Sequence, residues 1–275
     1  MNFIQTIKNS IYSPVFYSGI IKRSFKSSFG YFLLLILFLT IINIIFLIKP
    51  LLFDMPSQIQ NLAVNLVDCF PKELEVNVTG GQLTSNQKEP YFIPTCKNLG
   101  MENDQNLAVI DTKIPYSPEK FEEYKVGLWV TKDSIVYREN NLETRTYSLK
   151  QVQNFKLNKE AVDSFYKSAS PYFKFIGPAL LVISFIGIYL AYAFRLLYLL
   201  ILGALIWLLS KVFKYALSFG QSYKIGLYAV TLGLIAELVI NLTGRYTGFY
   251  GFPFMFTLIS LGVVTMNLFI PKKAS

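Results

Sequence analysis

The sequence predicts an α-helical integral membrane protein: five hydrophobic helices around an inserted extracytoplasmic α+β domain. Three observations lead there. Apolar residues make up 53% of the 275 residues at a mean hydropathy of +0.41, and they are gathered into blocks where a soluble domain would spread them. Charge is segregated. Residues 54–170 hold 16 of the 17 acids and 13 of the 26 bases, a net of −3, whereas the remainder holds 1 acid and 13 bases, a net of +12. No acid precedes Asp54, although Lys8, Lys22, Arg23, Lys26 and Lys49 do.

Residues 1–29 read as cytoplasmic basic amphipathic helices. Phe3, Ile4, Ile7 and Ile11 recur at helical spacing, and Ser13-Pro14 forms an N-cap with proline at the first helical position. Phe16, Tyr17, Ile20, Ile21 and Phe25 make a second apolar stripe, with Lys22, Arg23 and Lys26 off it. Such helices either lie in the interface, with Lys8, Lys22, Arg23 and Lys26 against anionic headgroups, or pack on the protein's own spans; the spacing fits both. The lipid bilayer is the expected partner either way. Residues 30–48 form the first transmembrane helix, since a span needs ~20 apolar residues. Cations near a span stay in the cytoplasm, so Lys8, Lys22, Arg23 and Lys26 place the N-terminus inside and make this run an uncleaved signal anchor of the cell membrane.

Residues 50–170 then form the extracytoplasmic α+β domain. "PSQIQNLAVNLVDCFP" spaces Ile59, Leu62, Leu66 and Phe70 as a helix does. "ELEVNVTGGQL" alternates like a half-buried strand and turns at Gly80-Gly81, and "LAVIDT", "VGLWVT", "SIVYRE" and "TRTYSL" are further short strands of an antiparallel sheet, with turns at Lys132-Asp133 and Asn140-Asn141. A helix capped by Asn158 leads back to the membrane. Cys69 and Cys96 both fall here, where a disulfide is permitted; two buried thiols are the alternative.

Residues 172–270 are the C-terminal helical bundle, with apolar runs at 175–194, 196–209, 225–242 and 252–270. If the run 196–209 spans, short-flank bases divide six inside to five outside (Lys49 and Lys174 omitted); if it only dips, ten to one. Charge thus favours four crossings. The all-round apolar "LLYLLILGALIWLL" favours five, and five is the expectation. Glu237 is the one acid in any of these runs. It stands four residues before Asn241 and eight before Arg245, on one helix face. A carboxyl there needs a partner, and Arg195 or Arg245 can supply it. With five crossings Glu237 and Arg195 lie toward the same side; with four, Glu237 is expected toward the outside, beyond Arg195. The site is a structural ion pair or a functional relay.

No histidine is present, the two cysteines are too few for a zinc site, and no phosphate-binding glycine motif or nucleophile elbow occurs. No catalytic residue, metal or cofactor is therefore expected. Bases flank apolar runs, which points to anionic lipid and away from nucleic acid. "IYSPVFY", "GGQLTSNQKEPYFIP", "AVIDT" and "VTKDSIVY" resemble the bacterial membrane family catalogued as domain of unknown function 1189, over most of the chain. The resemblance implies spans around an extracytoplasmic insert. Some members carry the description maltodextrin-utilisation protein, which implies an accessory role at a sugar transporter. Three functions compete: a non-enzymatic accessory or regulatory protein with a membrane partner such as a transporter, a transport or channel component using Glu237, and a membrane enzyme drawing on Asp54, Asp68 and Asp111. The first is expected, because no catalytic residue types concentrate anywhere.

Overall fold

The computed structural model describes residues 2–95, 106–139, 143–248, 251 and 254–270. In chain order the described helices are α1 (Phe3–Ile11), α2 (Pro14–Ile20), α3 (Phe25–Lys49), α4 (Met55–Cys69), α5 (Pro118–Tyr124), α6 (Lys159–Val212), α7 (Phe219–Thr247) and α8 (Met255–Val264). A π-helical turn, Pro50–Asp54, joins α3 to α4, and a second, Thr265–Phe269, extends α8. The chain divides into two compact units. One comprises residues 1–49 and 179–275, the other Pro50–Pro178.

The first unit is helical. Among the described residues, three helical stretches are long and apolar enough to cross a membrane: Phe25–Cys69, Lys159–Val212 and Phe219–Gly244, with Met255–Phe269 apolar but shorter. This corrects the expectation of five separate hydrophobic helices. The runs 175–194 and 196–209 belong to one helix, α6, of 54 residues. No glycine, proline or turn former separates Phe194 from Leu196, and the charge between them is matched from a neighbouring helix, so nothing breaks the hydrogen-bond ladder there.

The amphipathic N-terminal helices pack on this unit. Asn2 caps α1 and Ser13 caps α2, with Pro14 at its first position. Phe16, Tyr17 and Ile20 are buried, Phe16 meeting Tyr228 edge-on at 5.3 Å and Tyr31 stacking on Tyr228 at 4.6 Å. Of the two arrangements that the spacing allows, the second stripe thus takes the intramolecular one, while Ile4 and Val15 remain exposed. A buried hydroxyl chain stitches α1, α3 and α7 together: Ser10 Oγ to Tyr31 Oη at 3.1 Å, and Tyr31 Oη to Thr231 Oγ1 at 2.9 Å. Asn267 accepts from the Ser13 N–H at 2.6 Å and donates to the Ile11 carbonyl at 3.2 Å, fixing the α1–α2 elbow on the turn after α8.

The second unit carries the strands β1 (Val76–Thr79), β2 (Gln82–Ser85), β3 (Tyr91–Pro94), β4 (Asn106–Ile110), β5 (Val126–Val130), β6 (Ser134–Arg138), β7 (Thr144–Ser148) and β8 (Phe155–Leu157). They form two sheets, ordered β2-β1-β8 and β3-β4-β5-β6-β7. The sheet is not wholly antiparallel as expected, because β4 and β5 pair in parallel through the helix α5. Successive β4 residues face opposite ways: Ile110 joins a core with Leu74, Val76, Val78, Leu83 and Leu149, and Val109 joins Phe121, Val126, Trp129 and Val136. Asn158 caps α6 through the Ala161 N–H at 2.9 Å, as the sequence predicts, although that helix then runs on through Pro171 and Pro178. The Asn140-Asn141 turn lies outside the described residues.

The Gly80-Gly81 turn joins β1 to β2 with φ of 58° and 75°, the left-handed geometry of a tight hairpin. The two glycines are not equivalent. A Cβ on Gly81 would stand 2.8 Å from Lys150 Cα, whereas one on Gly80 meets nothing within 4 Å. Gly81→Ala is expected to cost ~2 kcal/mol or more, from the left-handed penalty and the clash, and Gly80→Asn well under 1 kcal/mol. Thermal melts of the two variants check the order.

Candidate functional site

Arg195 and Glu237 meet. Arg195 stands 17 residues before the end of α6 (212 − 195) and Glu237 18 residues after the start of α7 (237 − 219), so two consecutive antiparallel helices bring them to one height. The Arg195 Nη2 donates to Glu237 Oε1 in an ion pair. Here the sequence reasoning is corrected: it placed Arg195 at a helix end, out of Glu237's reach unless the chain crossed five times. A single α6 puts the arginine inside the helix, where it reaches Glu237 of α7.

Small residues allow the approach. A Cβ on Gly203 would lie 3.3 Å from Tyr223 Cα, which holds α6 close to α7. Gly233, one turn before Glu237, has Phe256 of α8 against it, and that ring lies under the Arg195 guanidinium at 4.9 Å. Tyr198, one turn beyond Arg195, shares a hydrogen bond with Thr257. Together with Asn241 and Met255 these side chains line a cavity of about 360 Å³. Asn241 therefore shares the face of Glu237 as expected, whereas the side chain of Arg245 lies outside the described residues. Tyr198, Phe256 and Thr257 escape sequence reasoning. The i, i+3 spacing of Arg195 and Tyr198 is the one signal that could have drawn attention to Tyr198.

The other candidate residues do not converge. Lys8, Lys22 and Lys26 are exposed, while Arg23 is half-buried, 4.7 Å over Phe16 and donating to Tyr228 Oη at 3.3 Å. Asp111 is buried, accepts from Tyr124 Oη at 2.7 Å and from the Lys113 N–H at 3.1 Å, and so serves the fold. Burial and that carboxylate raise the Tyr124 phenol well above its ordinary value. Among the described residues no group of three or more His, Cys, Asp or Glu side chains could hold a metal, so Asp54, Asp68 and Asp111 form no shared carboxylate site. Cys69 ends α4 and carries no free thiol, and Cys96 lies outside the described residues.

Among the described residues, three long apolar helices, an ion pair between two of them and a sheet-bearing unit define a class: an α-helical chain compatible with membrane association and carrying a folded sheet-bearing unit. Its family follows from comparison. The chain belongs to the family described as Protein of unknown function (DUF1189), whose model matches residues 4–270. No curated protein and no solved structure matches it.

Proposed function

We propose that the protein is a non-enzymatic accessory or regulatory component of the bacterial cell envelope, crossing the membrane four times and acting on a membrane partner through its unit at residues 50–178. The observation that carries this reading is the compensated carboxylate. Glu237 is the one acid outside residues 54–170, and Arg195 answers it, so the helical unit holds no unmatched acid for ion or proton passage. Co-purification in mild detergent tests the role: a stoichiometric membrane partner supports it, and solute flux through the protein alone in liposomes defeats it. Transport remains the second reading, favoured by the polar cavity beside the pair.

The topology rests on two contacts. Lys224 donates to the carbonyls of Ile21 at 3.0 Å and Arg23 at 2.6 Å, so the α6–α7 turn shares a side with the basic N-terminal segment. Asn267 does the same for the end of α8. Five crossings would separate both pairs across the bilayer. With four, the short-flank bases divide ten to one in favour of the cytoplasm, in accord with the positive-inside rule. A C-terminal alkaline phosphatase fusion is expected to be inactive and a fluorescent-protein fusion bright, while Glu119→Cys in the exported unit reacts with an impermeant thiol reagent on intact cells. An active phosphatase at the C-terminus would reverse the assignment.

A further inference from the structure

The unit at residues 50–178 contains a cavity that its fold does not fill. Its volume is about 510 Å³, and α4, the first turns of α6, and strands β3, β4, β5 and β8 wall it. The lining is hydrocarbon almost throughout, including Leu66, Val67, Leu107, Leu128, Val162 and Phe165. A cavity of this size falls in the ~300–1,000 Å³ range of small-molecule sites. An apolar cavity of ~150 Å³ stays dry and takes one benzene, so this one, more than three times larger, has room for roughly twenty carbons. Water there would find scarcely a partner for its hydrogen bonds.

We propose that this cavity binds one long hydrocarbon chain, the acyl chain of a fatty acid or of a bilayer lipid. Chemistry favours an acyl chain over a sugar or peptide, since those ligands carry polar groups that this lining would leave unsatisfied. The wall helices also expose apolar side chains where a soluble domain would not: Phe165 is 76% exposed and Leu66 44%. Chain connectivity supplies the ligand's source. Phe173, the last lining residue, lies two residues before the apolar run that starts at Phe175, and α4 follows the first span after a five-residue turn. The inference goes beyond the proposed accessory role and does not depend on a protein partner.

The test uses the full chain in phosphatidylcholine nanodiscs and two photoreactive probes in separate arms, a diazirine-bearing palmitic acid and a phosphatidylglycerol with the diazirine in its acyl chain. Peptide mapping is expected to find adducts on α4 and on residues 162–173, and unlabelled oleate to reduce them at least five-fold. Labelling by the acid alone assigns a free fatty acid, by the lipid alone a membrane lipid, and by both an exchangeable chain. Filling the cavity with Ala63→Trp and Ala169→Trp is expected to cut these adducts at least five-fold while those on lipid-facing α7 positions stay unchanged. Adducts confined to the membrane helices, or labelling of the cavity that neither oleate nor the tryptophans diminish in a folded variant, would overturn the proposal. If the tryptophan variant fails to fold, the oleate competition on the unaltered chain decides it.

Discussion

Arg195→Leu is expected to be the most damaging single substitution in the helical unit, and adding Glu237→Leu to it is expected to restore the fold. Removing the arginine leaves a carboxylate among apolar helices with no cation to answer it, which costs ~3–5 kcal/mol for a buried pair. The two side chains keep 29% and 25% of their surface exposed, so the lower end applies. Replacing both partners removes the desolvated charges together, and such replacements are near neutral or stabilising. Glu237→Gln keeps an acceptor for the guanidinium and should fall between. The Glu237→Arg, Arg195→Glu exchange should also recover, although the ring of Phe256 then loses its cation. The readout is the yield of monodisperse protein together with its melting temperature. Normal folding of Arg195→Leu, or a double variant no better than the worse single one, would show that the pair does not hold the helices.

That pair also shows what the sequence could and could not say. Residue types were enough to single out Glu237, because one acid in nearly a hundred C-terminal residues demands a partner. Its partner depended on helix length, and hydropathy alone divides "YAFRLLYLL" at the arginine, where the backbone does not divide. Local chemistry read well elsewhere. Asn158, Ser13-Pro14 and Gly80-Gly81 signal caps and a turn by mechanisms that act within a few residues. The parallel pairing of β4 with β5 did not read, since α5 offers one buried residue, Phe121, in a seven-residue helix that looks like a polar loop. The contacts on which the proposed four crossings rest were out of reach: Lys224 lies 203 residues from Ile21, and nothing periodic links them.

The second large effect concerns Gly177, where α6 meets the π turn that follows α3. A Cβ at this position would stand 2.5 Å from the Leu51 carbonyl oxygen, 3.1 Å from Leu52 Cα and 3.2 Å from Pro56 Cγ. Two of these neighbours are backbone, which cannot rotate away as a side-chain end can, so the whole turn must shift. Gly177→Val is expected to cost ~3 kcal/mol, at the upper end of what overpacking costs. Gly187, ten residues on in the same helix, has nothing within 4 Å of its Cβ position. Gly187→Ala should therefore gain up to ~1 kcal/mol from helix propensity alone. Opposite shifts of melting temperature in nanodiscs, with faster proteolysis of residues 50–178 in the valine variant only, are the expected result. Equal behaviour of the two variants would mean that α6 does not press on Leu51, and the close approach at the start of the second unit would have to be abandoned.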